Sequence, residues 1–204
     1  MFLTLEGPDG SGKSTQARLL AEHLQARGLN VLLTREPGGT PIGDQIRNVL
    51  MNLRNTGMRA EAEFLLFSAS RAQHVRQQIQ PHLQAGGTVV CDRFYDSSLA
   101  YQGYGHRLDL EALRRVTAFA TGGLTPDLTL LLDLPVEEGL QRRREDGNWN
   151  RLDAYDGEFH QRVRQGYRQL AAAEPERWIV LDARLDVEAL HAAVCQAVLP
   201  RLPA

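Results

Sequence analysis

The chain has 204 residues, 43% hydrophobic and 24% charged, with 23 Lys and Arg against 25 Asp and Glu for a formal net charge of −2. That length buries a sizeable core in one domain, and the near balance of charge leaves no basic block for nucleic acid or an anionic membrane surface. No run of about 18 apolar residues offers a membrane span, and the opening residues lack the charged and apolar regions of a secretory leader.

Short apolar runs alternate with longer amphipathic stretches. "FLTLE" (2–6), "VLLT" (31–34), "TVVCD" (88–92), "LTLLLD" (128–133) and "WIVLD" (178–182) read as strands. Apolar runs with little alternation belong to strands covered on both faces, hence to a parallel sheet. Helical spacing of apolar residues falls at 14–27, ended by Gly28, and at 60–80, 109–121, 136–144, 157–172 and 186–198. The fold expected is α/β: three layers, a parallel five-stranded sheet flanked by helices, with right-handed crossovers. Ligands of such sheets bind beyond the carboxyl ends of the strands. Glu6, Asp92 and Asp133 end strands and Arg35 follows one, so charge gathers at that rim. The two cysteines, Cys91 and Cys195, have no metal-ligand spacing and set no disulfide framework, which fits a reducing cytoplasm.

The segment "RRREDGNWNRLD" (142–153) breaks the alternation. Its arginines, Gly147 and Trp149 suit either a solvated surface loop or a mobile lid.

Gly7-Pro8-Asp9-Gly10-Ser11-Gly12-Lys13-Ser14 satisfies G-x-x-x-x-G-K-[ST] between an apolar strand and a helix, the context of a phosphate loop. Glycines let backbone N–H groups close on phosphate oxygens, and the helix that follows aims its positive end at the same anion. Lys13 reaches the β and γ phosphates of a nucleotide, and the Ser14 hydroxyl is suited to Mg²⁺. Lys13 is the only lysine; every other basic side chain is arginine. A compact ammonium fits a tight ring of N–H groups where a planar guanidinium does not. With no further lysine the chain has no N-K-x-D segment, which disfavours a guanine-specific GTPase.

Three further segments narrow the class: "TREPGGT" (34–40), "FLLFSASRAQH" (64–74) and "DRFYDSSLAYQGYG" (92–105). Taken singly, Phe67 reads as core, Arg71 as a solvated charge and Asp92-Arg93 as a strand-end ion pair. As an ordered set with the phosphate loop and "RLD" (151–153), they closely resemble bacterial thymidylate kinases, the motifs running to about residue 170.

The resemblance implies one P-loop kinase domain over 1–204 with a lid at about 142–153. The implied reaction is ATP-dependent, Mg²⁺-requiring phosphorylation of dTMP to dTDP on the route to dTTP, by a cytoplasmic homodimer; the helices at 60–80 and 93–121 are one candidate for its interface. ATP is implied to sit on Gly7 through Ser14 and Thr15. Arg93 and Arg47 are implied to hold the acceptor phosphate, Asp9 to face the sugar and that phosphate, and Glu36 with Arg35 to organise the acceptor site. The resemblance further implies that Phe67 stacks on the base and Arg71 bonds its carbonyl, with Ser98, Tyr101 and Gln102 along the base and sugar. It also implies that Asp92 lies near the metal and acts through its waters. The loop has Gly10 where eukaryotic relatives carry arginine. The charge formed during transfer is therefore expected to be met from the lid, by Arg151 first and by Arg142, Arg143 or Arg144 after it. A kinase for another monophosphate and a nucleotide-binding regulatory module remain the alternatives.

Overall fold

In a computed structural model the described residues are 1–147 and 149–202; Asn148, within the expected lid, and the last two positions lie outside them. The five apolar runs are the five strands: β1 (Phe2–Glu6), β2 (Val31–Arg35), β3 (Thr88–Asp92), β4 (Leu128–Asp133) and β5 (Trp178–Asp182). They form one sheet in the order β2-β3-β1-β4-β5, with every pairing parallel. The helices are α1 (Lys13–Ala26), α2 (Pro41–Met51), α3 (Ala60–His74), α4 (Gln80–Gln84), α5 (Tyr95–Ser98), α6 (Leu110–Thr121), α7 (Val136–Glu145), α8 (Gly157–Ala173) and α9 (Val187–Val198). Among the described residues no helix is long and apolar enough to cross a membrane.

Side chains alternate across a strand, so each strand feeds two cores. On one face Leu3, Leu5, Val90, Leu128, Leu130 and Leu132 pack against Leu20 and Leu24 of α1 and Leu190 and Val194 of α9. On the other, Phe2, Val89 and Cys91 meet Val75, Ile79 and Phe94, while Leu131 and Trp178 meet Phe64, Leu113 and the α8 residues Phe159, Val163 and Tyr167. The central strand β1 is buried throughout, whereas the edge strands β2 and β5 expose alternate residues. All strands run the same way, so Glu6, Arg35, Asp92 and Asp133 reach a common rim, with Arg35 and Asp92 opposite each other in register.

Three features depart from the sequence pattern. Helix α2 was not among the expected helices, although Ile42, Ile46, Val49 and Leu50 recur at helical spacing. Its start is also written in capping chemistry: Thr40 Oγ1 accepts from Gly43 N at 3.0 Å and Pro41 opens the first turn. The helix expected over 60–80 is interrupted by a π turn at Val75–Ile79 before α4. A second π segment, Leu99–Gly105, carries Tyr101 and Gln102; its wider i to i+5 winding shows in the 2.9 Å bond from His106 N to Tyr101 O.

Candidate active site

The carboxyl ends of β1 and β3 open into a cleft of about 540 Å³. At its floor the glycine loop joins β1 to α1. Gly7 has φ +144°, and a Cβ there would lie 2.4 Å from Leu132 O; a Cβ on Gly10, at φ +78°, would lie 2.3 Å from Gly139 O of α7. Both positions therefore need glycine, because the loop is clamped between β4 and α7. Gly12 caps α1 with no side-chain hydrogen bond, which leaves the first-turn N–H groups without a side-chain acceptor. Lys13 Nζ donates to Pro8 O at 2.7 Å and Ser11 Oγ at 3.1 Å. Burial and the nearby Arg93 guanidinium lower the Lys13 ammonium to about 8. The Ser14 hydroxyl donates to the Asp92 carboxylate. These two hard oxygen donors line the same end of the cleft and match the preference of Mg²⁺.

Arg93 follows β3 with φ +69°, a left-handed backbone that costs a non-glycine residue about 1–3 kcal/mol. The surroundings impose it. Arg93 N donates to Leu5 O at 3.0 Å, and the next residue, Phe94, donates its N–H to Glu6 Oε1 at 2.7 Å. Glu6 Oε2 also accepts from Ser97 Oγ at 2.6 Å and Tyr167 OH at 2.9 Å. The Arg93 guanidinium is thereby swung into the cleft, where it donates to Asp9 Oδ1 at 2.7 Å, Tyr167 OH at 2.8 Å, Ser97 Oγ and Gly7 O at 3.0 Å, and Tyr101 OH at 3.3 Å. Burial acts to raise the Asp9 carboxyl, but the charges of Arg93 and Lys13 outweigh it and leave the group well below the usual carboxylate range. Arg47, from α2, donates to Pro37 O at 3.0 Å on the opposite wall, its charged form disfavoured first by burial and then by Arg35.

Along α3 the residues Glu63, Phe67 and Arg71 recur every fourth position and so share one face. Phe67 lines the cleft. Arg71 is buried behind it: Nε donates to Glu36 Oε2 at 2.7 Å and Nη2 to Ser98 Oγ at 3.1 Å, while Nη1 has no partner among the described residues. Gln102 likewise donates Nε2 to Glu63 Oε1 at 2.7 Å and leaves Oε1 buried without a partner.

Of the residues singled out from sequence, Asp9, Gly10, Gly12, Lys13, Ser14, Thr15, Arg35, Glu36, Arg47, Phe67, Asp92, Arg93, Ser98, Tyr101, Gln102, Arg142 and Arg143 line the cleft. Gly7, Pro8 and Ser11 shape the loop from behind. The arginines of the expected lid divide. Arg142 Nη1 donates to Ala183 O at 3.2 Å and to the loop carbonyl of Gly10 at 3.4 Å. Arg143 grips Asp153 with two nitrogens, at 2.8 and 3.2 Å. Arg144 is exposed and lies over the Trp149 ring at 5.4 Å.

Arg151 is placed otherwise than expected. Only 5% exposed, it bonds Leu50 O at 2.8 Å, Tyr155 OH at 2.7 Å and Glu63 Oε2 at 2.5 Å, away from the cleft lining. Sequence reading placed Glu6 at the charged rim without giving it a role, and passed over Ser97 and Tyr167, which with it brace Arg93, and Glu63. The fourfold spacing of Glu63 with Phe67 and Arg71 could have found it; for Tyr167, far along on α8, no local signal exists.

A glycine loop at the start of α1, with Arg93 and Arg47 lining the same cleft on this sheet order, makes the fold that of an α/β nucleotide kinase. A family model described as thymidylate kinase matches residues 5–194. The chain is 56% identical to the thymidylate kinase of Roseiflexus sp. (strain RS-1), over 99% of this chain and 95% of that one. It is 52% identical to that of Deinococcus radiodurans, over 98% and 97%. The crystal structure of thymidylate kinase from Ehrlichia chaffeensis superposes with a TM-score of 0.79 at 36% identity, covering 97% of this chain and 98% of that one. The chain belongs to the thymidylate kinase family.

Proposed function

We propose that the protein transfers the terminal phosphoryl group of ATP to dTMP, giving ADP and dTDP for dTTP synthesis, as one P-loop kinase domain with a lid at 142–153. The observation that carries the choice of base is the pair of unmatched buried atoms beside Phe67: a donor, Arg71 Nη1, and an acceptor, Gln102 Oε1. A thymine ring offers a carbonyl and a ring N–H to meet them. Cytosine offers the reverse, an acceptor ring nitrogen and an amino donor. The Tyr101 ring, buried and lining the cleft, is the bulk that would crowd a 2′-hydroxyl.

The acceptor is a phosphate oxygen whose second ionisation lies at about pH 6, so it is already largely deprotonated at neutral pH. No general base is needed. Asp9 is a poor one in any case, because Arg93 and Lys13 hold it ionised. The difficulty is the approach of two anions in line, met by positioned charge. Lys13 and the first-turn N–H groups of α1 hold the donor phosphates. Arg93 and Arg47 hold the acceptor phosphate, and Arg142 and Arg143 approach from the lid. Mg²⁺, when held by Ser14 and through water by Asp92, supplies further neutralisation of the donor.

The protein acts as a cytoplasmic homodimer through the face of α3 and α6, where Leu65 and Phe119 are exposed. ADP release measured with ATP, Mg²⁺ and a panel of nucleoside monophosphates tests the reading. Turnover with dTMP well above dCMP, dAMP and dGMP is expected. ATP binding with no turnover on any monophosphate would instead mark a regulatory module.

A further inference from the structure

We propose that Glu63 is a positioning residue for base choice: held by Arg151 and Tyr155, it fixes the amide of Gln102 so that its oxygen, not its nitrogen, faces the base. The inference rests on the reading that the cleft takes dTMP.

Glu63 is fully buried on α3 and lies outside the cleft lining. Its Oε1 accepts from Gln102 Nε2 at 2.7 Å, and His106 Nε2 lies 3.3 Å from the same oxygen. Its Oε2 accepts from Arg151 Nη2 at 2.5 Å and Tyr155 OH at 2.9 Å. An ionised carboxylate can only accept. Burial acts to raise this carboxyl, but His106 and Arg151 outweigh it and bring it to about 2, so it is ionised wherever the protein is folded at ordinary pH. Rotating the Gln102 amide by half a turn would set two oxygens against each other. The amide oxygen is thus locked toward the cleft as an acceptor for a ring N–H, the group thymine and uracil carry and cytosine lacks. A site built around one hydrogen-bonding pattern rejects a ligand with the opposite pattern strongly, because its buried polar groups are left unmatched. Arg151 acts one step further back, anchoring the carboxylate to the end of α2 through Leu50 O.

The test uses the full chain with dTMP as substrate and dCMP as competitive inhibitor. The readout is the ratio of the dCMP inhibition constant to the dTMP KM. A ratio of two ligands on the same active molecules is independent of how much of a variant folds. Glu63→Gln, which can turn either face to Gln102, is expected to lower the ratio about ten- to hundredfold, with the KM for ATP unchanged. In a Gln102→Leu background the same substitution is expected to change the ratio less than about twofold, because the two act in series. Arg151→Lys, which keeps the charge, should hold the ratio closer to wild type than Arg151→Met does. A wild-type ratio in Glu63→Gln, or an effect that adds fully to Gln102→Leu, overturns the inference. A wild-type protein that does not phosphorylate dTMP overturns the functional reading instead.

Discussion

Arg93 and Asp9 meet at 2.7 Å across the junction of the phosphate loop and the third strand. Neither belongs to the other's segment, yet each fixes the other: the carboxylate is held ionised and the guanidinium is held flat against the tyrosine hydroxyls. Five acceptors around one side chain demand the fork of an arginine, because an ammonium has three donors on a free rotor. Arg93→Lys is therefore expected to lower kcat/KM for dTMP by about 10²-fold or more, with the KM for ATP nearly unchanged. Steady-state kinetics with each substrate varied in turn checks this; a loss shared equally by the two substrates would contradict it.

Lys13 carries a pH dependence of definite sign. Its folded value of about 8 lies below the usual 10.5, so the site holds an ammonium below pH 8 and loses it above. The free-enzyme profile, kcat/KM for ATP, is expected to fall as pH rises through about 8. Linkage runs the other way for stability. Between about 8 and 10.5 the unfolded chain binds more protons than the folded one, so this group makes the fold less stable below that window. Lys13→Met should abolish turnover yet raise Tm at pH 7 by about 5 °C. A lower Tm in that variant would contradict the assignment.

The sheet and the phosphate loop were legible because they rest on local signals: doubly buried strands read as unbroken apolar runs, and the loop's glycines sit at fixed offsets. The partners of Arg93 were not, since Glu6, Ser97 and Tyr167 come from three separate elements and meet only when β1, α5 and α8 pack. Arg151 shows the limit of a motif. Its spacing said that it belongs near the lid, but whether its charge faces phosphate or carboxylate depended on Glu63, 88 residues earlier. Arg71 and Gln102 were expected on the base side only through the resemblance, whereas the directions of their unmatched atoms follow from Glu36 and Glu63 and need the structure.

The roles of Arg142 and Arg151 separate experimentally. Arg142 lines the cleft and reaches the loop carbonyl of Gly10, so Arg142→Ala is expected to lower kcat about 10²- to 10³-fold with Tm within a few degrees of wild type. Arg151→Ala leaves the Glu63 charge buried beside an empty position, which costs about 3–5 kcal/mol and shows as a Tm lower by about 10 °C. Thermal unfolding and kinetics on the two variants distinguish them. A large fall in kcat for Arg151→Ala at unchanged Tm would return Arg151 to the phosphates.

Glu63 contributes one buried carboxylate to the acid limb of stability. Its folded value is about 2 against an ordinary 4.5, so between those values the unfolded chain holds a proton that the folded chain does not. Its contribution is complete above about pH 4.5 and is lost as pH falls toward 2. A shift of that size corresponds to about 3 kcal/mol. Asp9 is shifted in the same direction, so the wild-type curve also carries its share. Glu63→Gln removes only the Glu63 part: the variant is less stable at pH 7, where an amide replaces the charge facing Arg151, but loses less on going from pH 5 to pH 3. Denaturant unfolding at fixed pH steps gives both slopes. Parallel slopes for the two proteins would mean that Glu63 is already protonated in the fold, and the acceptor-only argument for Gln102 would fall with it.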